Sequence, residues 1–79
     1  MIEMLCVREE APEALYKNGT KIRKGDGDLD DITPKGTPGT ILGSLYHHQM
    51  GVGYFVEWDD KPGMPVFVME RKLDGPRNR

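Results

Sequence analysis

Three aspartates at alternate positions, Asp26, Asp28 and Asp30, have the spacing of potential metal ligands. Carboxylates at positions one, three and five open an EF-hand calcium loop, which also needs glycine at position six and glutamate at position twelve. Those two positions hold Asp31 and Thr37, and the flanking sequence favours no helix. We interpret the stretch as a solvated acidic loop whose aspartates bond to nearby backbone groups, with calcium binding as the alternative.

Two adjacent histidines, His47 and His48, are a second candidate for metal binding. Neighbouring residues of a strand point to opposite faces, and a zinc site takes three or four protein ligands. Only Cys6 and carboxylates remain to complete such a set, so we interpret the histidines as exposed turn residues. Cys6 has no activating base indicated by the sequence and is interpreted as a small buried hydrophobe. The sequence thus predicts no catalytic residue, no bound metal and no cofactor.

Three glycine-rich steps resemble phosphate-binding loops only superficially: Gly25-x-Gly27, Gly36-x-x-Gly39 and Gly51-x-Gly53. None ends in Gly-Lys-Ser/Thr, and none leads into a helix, as a phosphate loop does. Turn geometry is sufficient to explain these glycines.

Two groups of cations form a possible nucleic-acid surface. The first contains Lys17, Lys21, Arg23 and Lys24; the second contains Arg71, Lys72, Arg77 and Arg79. Together with exposed aromatic rings, such cations can bind single-stranded nucleic acid through phosphate contacts and base stacking. The formal net charge is −2, however, whereas dedicated nucleic-acid binders usually carry a basic excess. Charge that only maintains solubility is the competing interpretation.

The length and composition indicate one small domain in a reducing compartment. Seventy-nine residues accommodate a single core, and ten glycines and six prolines favour many tight turns. The single cysteine excludes an internal disulfide, and residues 1–8 do not resemble a signal peptide. No apolar run approaches the length that spans a bilayer. The expected location is the cytoplasm, with no membrane partner.

The elements that would position these residues are short strands. The sequence predicts strands at 2–7, 20–23, 39–46, 54–58 and 65–70, with a bulge or bend at Gly43. It predicts turns at 18–19, 47–53 and 59–63, and a long loop at 24–38. Residues 9–16 read as one helical turn or a loop, and 71–73 as a final turn or strand.

The predicted core draws on every strand after the first. Its members are Ile22, Ile41, Leu45, Trp58, Val66, Val68 and Leu73, together with Phe55 or its neighbours Tyr54 and Val56. The inward face of the 54–58 strand stays open, because a slip of one residue exchanges the two faces.

The segment 21–73, about two-thirds of the chain, resembles the SH3-like small barrels. The resemblance lies in Gly36-Thr-Pro-Gly39-Thr-Ile41, Tyr54-Phe-Val-Glu-Trp58 and the closing stretch 66–73. Similar patterns occur in the C-terminal barrel of the nitrile hydratase β subunit, the variable chain of ferredoxin–thioredoxin reductase and KOW-type modules. The resemblance implies a five-stranded SH3-like barrel over residues 1–73, with 74–79 as a flexible tail. It also implies partner binding or nucleic-acid binding rather than catalysis, and it transfers no catalytic residue.

These observations predict a non-enzymatic module that binds another protein, as an accessory subunit or small regulator. The predicted contact residues are Asp26, Asp28, Asp30, Asp31, Tyr46, Tyr54 and Trp58. The alternative is a nucleic-acid-binding barrel that uses Lys17, Lys21, Arg23, Lys24, Arg71 and Lys72. The oligomeric state and the identity of the partner stay open.

Overall fold

The structure, a computed structural model, describes residues 8–26 and 32–75. Within these ranges there are five strands: β1 (Lys21–Lys24), β2 (Pro38–His47), β3 (Gly51–Trp58), β4 (Val66–Met69) and β5 (Leu73–Asp74). One 3-10 turn, Glu70–Lys72, connects β4 to β5. The predicted all-β class with five strands is confirmed, although the strand predicted at 2–7 lies outside the described residues.

All five strands belong to one antiparallel sheet in the order β4-β3-β2-β1-β5. Successive strands pair as neighbours from β1 to β4, and β5 returns to pair with β1 through Arg23 and Asp74. In the described part of the chain no ladder joins β4 to β5, so strand pairing does not close the predicted barrel. β4 and β5 are therefore the two edges of the sheet.

A bulge in β2 decides which side chains enter the core. The pairing register with β3 shifts between Ile41 and Gly43, as the glycine predicted. One extra residue reverses the alternation of side chains along a strand. Ile41 and Ser44 are consequently both buried, and Leu45 points outwards. Leu45 was predicted in the core, and the bulge explains why that prediction is wrong.

The orientation of β3 resolves the open choice between its two faces. Tyr54, Val56 and Trp58 are fully buried, whereas Phe55 is half-buried on the opposite face. The rest of the predicted core is confirmed at Ile22, Ile41, Val68 and Leu73. Val66 is the exception, since it lies on the edge strand β4 and is exposed.

Residues 8–20, the N-terminal arm, add a layer to the sheet without forming a helix or strand. Tyr16 inserts its ring into the core at 5.5 Å from the ring of Tyr54. Ser44 makes two hydrogen bonds to the arm. Its backbone nitrogen donates to the Glu9 carbonyl, and its Oγ accepts from the Ala11 nitrogen at 2.9 Å. The arm thus supplies a core residue, Tyr16, that strand patterns alone did not identify.

Two predicted boundaries change in the structure. The turn predicted at 47–53 is shorter, because β2 continues to His47 and β3 already begins at Gly51. Asp74, which was predicted to begin a flexible tail, instead pairs with Arg23 in the sheet, and residues 76–79 lie outside the described residues. Gly75 is packed so closely that a Cβ there would lie 2.6 Å from Ile22.

Candidate functional site

Of the four aspartates predicted as contact residues, the structure describes only Asp26. Asp26 is exposed and pairs with Lys35, whose Nζ lies 3.0 Å from Asp26 Oδ1. This hydrogen bond and charge pair raise the pKa of the Lys35 ammonium. Asp28, Asp30 and Asp31 lie outside the described residues. Asp26 therefore already has an ion-pair partner within its own loop.

The predicted aromatic contacts separate into one surface ring and two core rings. Tyr46 has an exposed fraction of 49%, at the end of β2 beside the turn. Tyr54 and Trp58 have exposed fractions of 0% and 1%. The prediction that these two rings form a contact surface is thus corrected, because the register of β3 turns both into the core.

The side chain of Trp58 packs in the core against Gly39, a glycine that we had explained by turn geometry. Its indole lies over Gly39, where a Cβ would come within 2.6 Å of the indole Cε3. Gly39 pairs directly with Trp58 across β2 and β3. This glycine is therefore needed for the close approach of a side chain, since its backbone has no positive φ.

The hydroxyl of Tyr54 connects three parts of the fold. It accepts hydrogen bonds from the backbone nitrogens of Leu15 at 2.9 Å and Tyr16 at 3.2 Å. It donates to the carboxylate of Glu70 in the 3-10 turn. Burial of the phenol, followed by the bond to Glu70, raises the pKa of Tyr54 well above its ordinary value. The group thus stays protonated and serves as a structural anchor for the arm.

This raised pKa predicts a loss of stability in alkaline solution. Above pH 10.0, the ordinary tyrosine value, the unfolded chain releases this proton while the native protein retains it. The free energy of unfolding then falls as pH rises, until the native pKa is reached. Urea unfolding of the wild type and Tyr54→Phe from pH 7 to 11 measures the effect. We expect the wild type to lose more stability above pH 10; parallel curves would contradict the assignment.

The predicted basic residues fall into two places. Lys21 and Arg23 border a cleft of about 380 Å³ that also contains Asp74. Both cations bond within the chain, Lys21 Nζ to Thr40 Oγ1 at 2.9 Å and Arg23 to the Gly36 carbonyl at 3.0 Å. Lys17 is exposed on the arm. The cleft beside Lys21 and Arg23 is therefore mixed in charge, and both of these cations are already engaged in bonds within the chain.

Arg77 and Arg79 of the second group lie outside the described residues. The other two members, Arg71 and Lys72, lie with Lys24 of the first group in a groove along β4. This β4 groove has a volume of about 210 Å³ and contains Lys24, Arg71 and Lys72. Its apolar lining comes from Ile32, Val66, Phe67, Val68, Met69 and the edge of Trp58. The folded chain brings these residues together because the Gly25 nitrogen donates to the Lys72 carbonyl at 2.7 Å. The groove is basic and apolar, and none of its described lining residues is acidic.

An apolar surface continues from this groove onto the sheet. We define the outer face as the side of β2, β3 and β4 opposite the core, with Leu45, Phe55, Phe67 and Met69. Phe67 lies against Phe55 with ring centroids 5.0 Å apart, and its ring covers Gly53. Phe67 nevertheless keeps an exposed fraction of 47%. The outer face and the β4 groove meet at Phe67.

Among the described strands, β4 has a neighbour on one side only. It pairs with β3 along four positions, from Val66 opposite Val56 to Met69 opposite Gly53. Within residues 8–26 and 32–75, no other element donates to or accepts from the β4 backbone. Backbone groups on the free side of an edge strand are available to another chain.

The histidines and the cysteine do not form a described metal site. His47 and His48 stack with ring centroids 4.8 Å apart, so the expected opposite orientation is not observed. His47 Nδ1 accepts from the Gln49 nitrogen at 3.2 Å and shapes the turn. Among the described residues, no group of three histidine, cysteine or acidic side chains is placed to hold a metal. Cys6 lies outside the described residues.

Sequence reasoning named the cations of the β4 groove, Lys24, Arg71 and Lys72, as candidate contacts, but it missed the apolar residues that lie beside them. Val66 and Phe67 were assigned to a strand, and Ile32 was part of the long loop. A run of apolar residues following Pro65, which suits a strand edge, is the one sequence signal that points to an exposed strand.

No helix in the described ranges is long and apolar enough to cross a membrane. Comparison with protein-family models, with curated proteins and with solved structures finds no match to this chain.

Proposed function

We propose that this chain is a non-enzymatic protein-binding module, which acts as an accessory subunit or small regulator of a larger protein in a reducing compartment such as the cytoplasm. The observation that carries the proposal is the exposed apolar surface centred on Phe67. Single exposed apolar residues are ordinary, but a cluster that spans a groove, a strand edge and a sheet face is typical of an interaction site. Side chains of β4, the adjoining loop and the sheet all contribute to it.

The fold supports this proposal through its strand order. Four strands in sequence followed by a short fifth strand that returns to the first, with a 3-10 turn before it, is consistent with the SH3-like resemblance. Small barrels of that kind are mostly binding modules. We therefore retain the SH3-like assignment as part of the proposal.

The proposed surface differs from the one that the sequence predicted. Tyr54 and Trp58 are core residues, so only Asp26 and Tyr46 remain as described, exposed members of the predicted set. Phe67, Val66 and Ile32 replace them as the apolar contacts. Tyr46 and Phe67 have nearly equal exposed fractions, 49% and 47%, which makes them a matched pair.

Binding by the two variants Phe67→Glu and Tyr46→Glu tests the proposal. The immobilised full chain captures its partner from an extract of the native host, and calorimetric titration then measures the affinity of each purified variant. A residue at the centre of an interface contributes about 2 kcal/mol, or roughly thirtyfold in affinity. We expect that loss for Phe67→Glu and less than about twofold for Tyr46→Glu.

Circular dichroism of both variants is the control, since Phe67 also covers Gly53. A larger loss of affinity for Tyr46→Glu than for Phe67→Glu would show that the contact surface lies at Tyr46 and the acidic loop. A chain that captures no saturable protein partner would contradict the proposed function itself.

Nucleic-acid binding stays a prediction that no observation favours over protein binding. Stacking needs exposed rings, and three of the four aromatic residues near these cations, Tyr16, Tyr54 and Trp58, are buried, which leaves Tyr46 exposed. The described cations of the two clefts lie in two separate places, and Lys21 and Arg23 bond within the chain.

A further inference from the structure

The free edge of β4 determines how a partner can approach this surface. In an antiparallel pair, backbone groups point alternately towards the neighbouring strand and away from it. β3 takes up one side of Val66–Met69, and the described residues leave the other side without a strand. An extended segment placed there gains main-chain hydrogen bonds that need no particular sequence.

A strand added to β4 would present its side chains to two different surfaces. Alternate residues of a strand point to opposite faces of the sheet. One set would enter the β4 groove beside Val66 and Ile32, where a volume of about 210 Å³ is available. The other set would pack on the outer face against Phe67 and Met69. Both surfaces are apolar, so both favour apolar side chains in the added strand.

The charge of the groove indicates one further property of the added segment. Arg71 is exposed at the end of β4, two residues beyond Met69, and lines the same groove. Lys24 and Lys72 also lie there, but both have partners within the chain. We therefore assign the recognition of an acidic side chain to Arg71, whose guanidinium can bind a carboxylate through two parallel hydrogen bonds.

We propose that β4 binds an extended segment of a different protein by strand addition, and that this segment alternates apolar residues and carries an acidic residue opposite Arg71. The inference rests on the proposed protein-binding function and specifies its mode. A second copy of the chain fits less well, because its own β4 consists of four apolar residues, Val66–Met69, with no carboxylate to pair with the groove.

Selection of peptides on the full chain tests the mode of binding. A displayed library of random decapeptides is selected on the immobilised protein, and one enriched peptide is synthesised as the probe. We expect alternating apolar residues with Asp or Glu among the enriched sequences. Calorimetry then compares the wild type with Arg71→Glu and with the control Lys17→Glu, which reverses an exposed charge on the arm.

The charge reversal at Arg71 is expected to weaken the probe about tenfold, and the control less than about twofold. N-methylation of successive peptide amides adds a test of strand addition. It should reduce the affinity about tenfold at alternate positions, those facing β4, and little at the positions between them.

The remaining outcomes overturn the inference and distinguish it from the proposed function. Enriched peptides without acidic residues, or without an alternating response to N-methylation, would exclude this mode of binding. The proposed protein-binding function would still stand if the chain captured a native partner. Failure to enrich any peptide would exclude a linear segment. Concentration-dependent dimerisation abolished by Phe67→Glu would assign the edge to a second copy. Binding of poly(U) abolished by Arg71→Glu would assign the groove to RNA.

Discussion

Replacing Trp58 with alanine is expected to leave most of the protein unfolded at room temperature. Trp58 is one of the largest fully buried side chains, and removal of such a side chain costs about 3–5 kcal/mol. A core of this size contributes a net stability of only about 3–5 kcal/mol. The loss is therefore comparable with the whole stability of the domain.

Tyr46→Ala is the matched control, because both aromatic residues were predicted as surface contacts. Its ring is half exposed, so its removal should change the free energy of unfolding by less than about 1 kcal/mol. Urea unfolding monitored by far-ultraviolet circular dichroism measures both variants. A stably folded Trp58→Ala protein would show that the indole lies on the surface, contrary to the described register of β3.

Replacing Tyr54 with phenylalanine is the second large expected effect, at about 2–3 kcal/mol. The ring remains, so the core keeps its volume, but the hydroxyl that accepts from Leu15 and Tyr16 is lost. The Leu15 nitrogen keeps a bond to Glu70 at 3.3 Å. Leaving a buried polar group without its partner destabilises the folded protein by more than the net contribution of one ordinary hydrogen bond.

Hydrogen exchange gives Tyr54→Phe a more specific readout than stability alone. We expect faster exchange at the Leu15 and Tyr16 amides than at the Val56 amide in β3, because the arm should detach before the sheet opens. Tyr46→Phe, which removes an exposed hydroxyl, is the control and should leave both unchanged. Uniform loss of protection in Tyr54→Phe would mean that the hydroxyl does not anchor the arm selectively.

The strands could be predicted from the sequence because their signals are local. Aromatic and β-branched residues mark β3, and Asn18-Gly19 and Pro62-Gly63 mark turns that flank strands. The bulge at Gly43 was also predictable, since a glycine inside a strand pattern favours one. That Leu45 is exposed follows only when the extra residue is counted in the alternation of side chains along β2.

The orientation of β3 could not be predicted, because both of its faces carry aromatic or aliphatic residues. The side chain of Tyr54 points into the core partly because its hydroxyl forms hydrogen bonds with Leu15 and Glu70, which lie 39 and 16 residues away in the sequence. Contacts over such separations depend on the assembled fold. The same reason explains why Tyr16 was missed as a core residue.

The β4 groove could not be predicted because an edge is a property of the sheet. Val66–Met69 reads as an ordinary buried strand until the order β4-β3-β2-β1-β5 places it at the margin. Lys24 and Arg71 are 47 positions apart and meet only because β5 pairs with β1. The residue types of the site were visible in the sequence, but their association was not.

An amide chemical-shift titration of the labelled full chain with its captured partner locates the binding surface residue by residue. We expect the largest shifts at Val66–Met69, Ile32 and Arg71, and little change at Tyr46. Shifts concentrated at Asp26 and Tyr46, or at Lys21 and Arg23, with the β4 amides unchanged, would contradict this expectation.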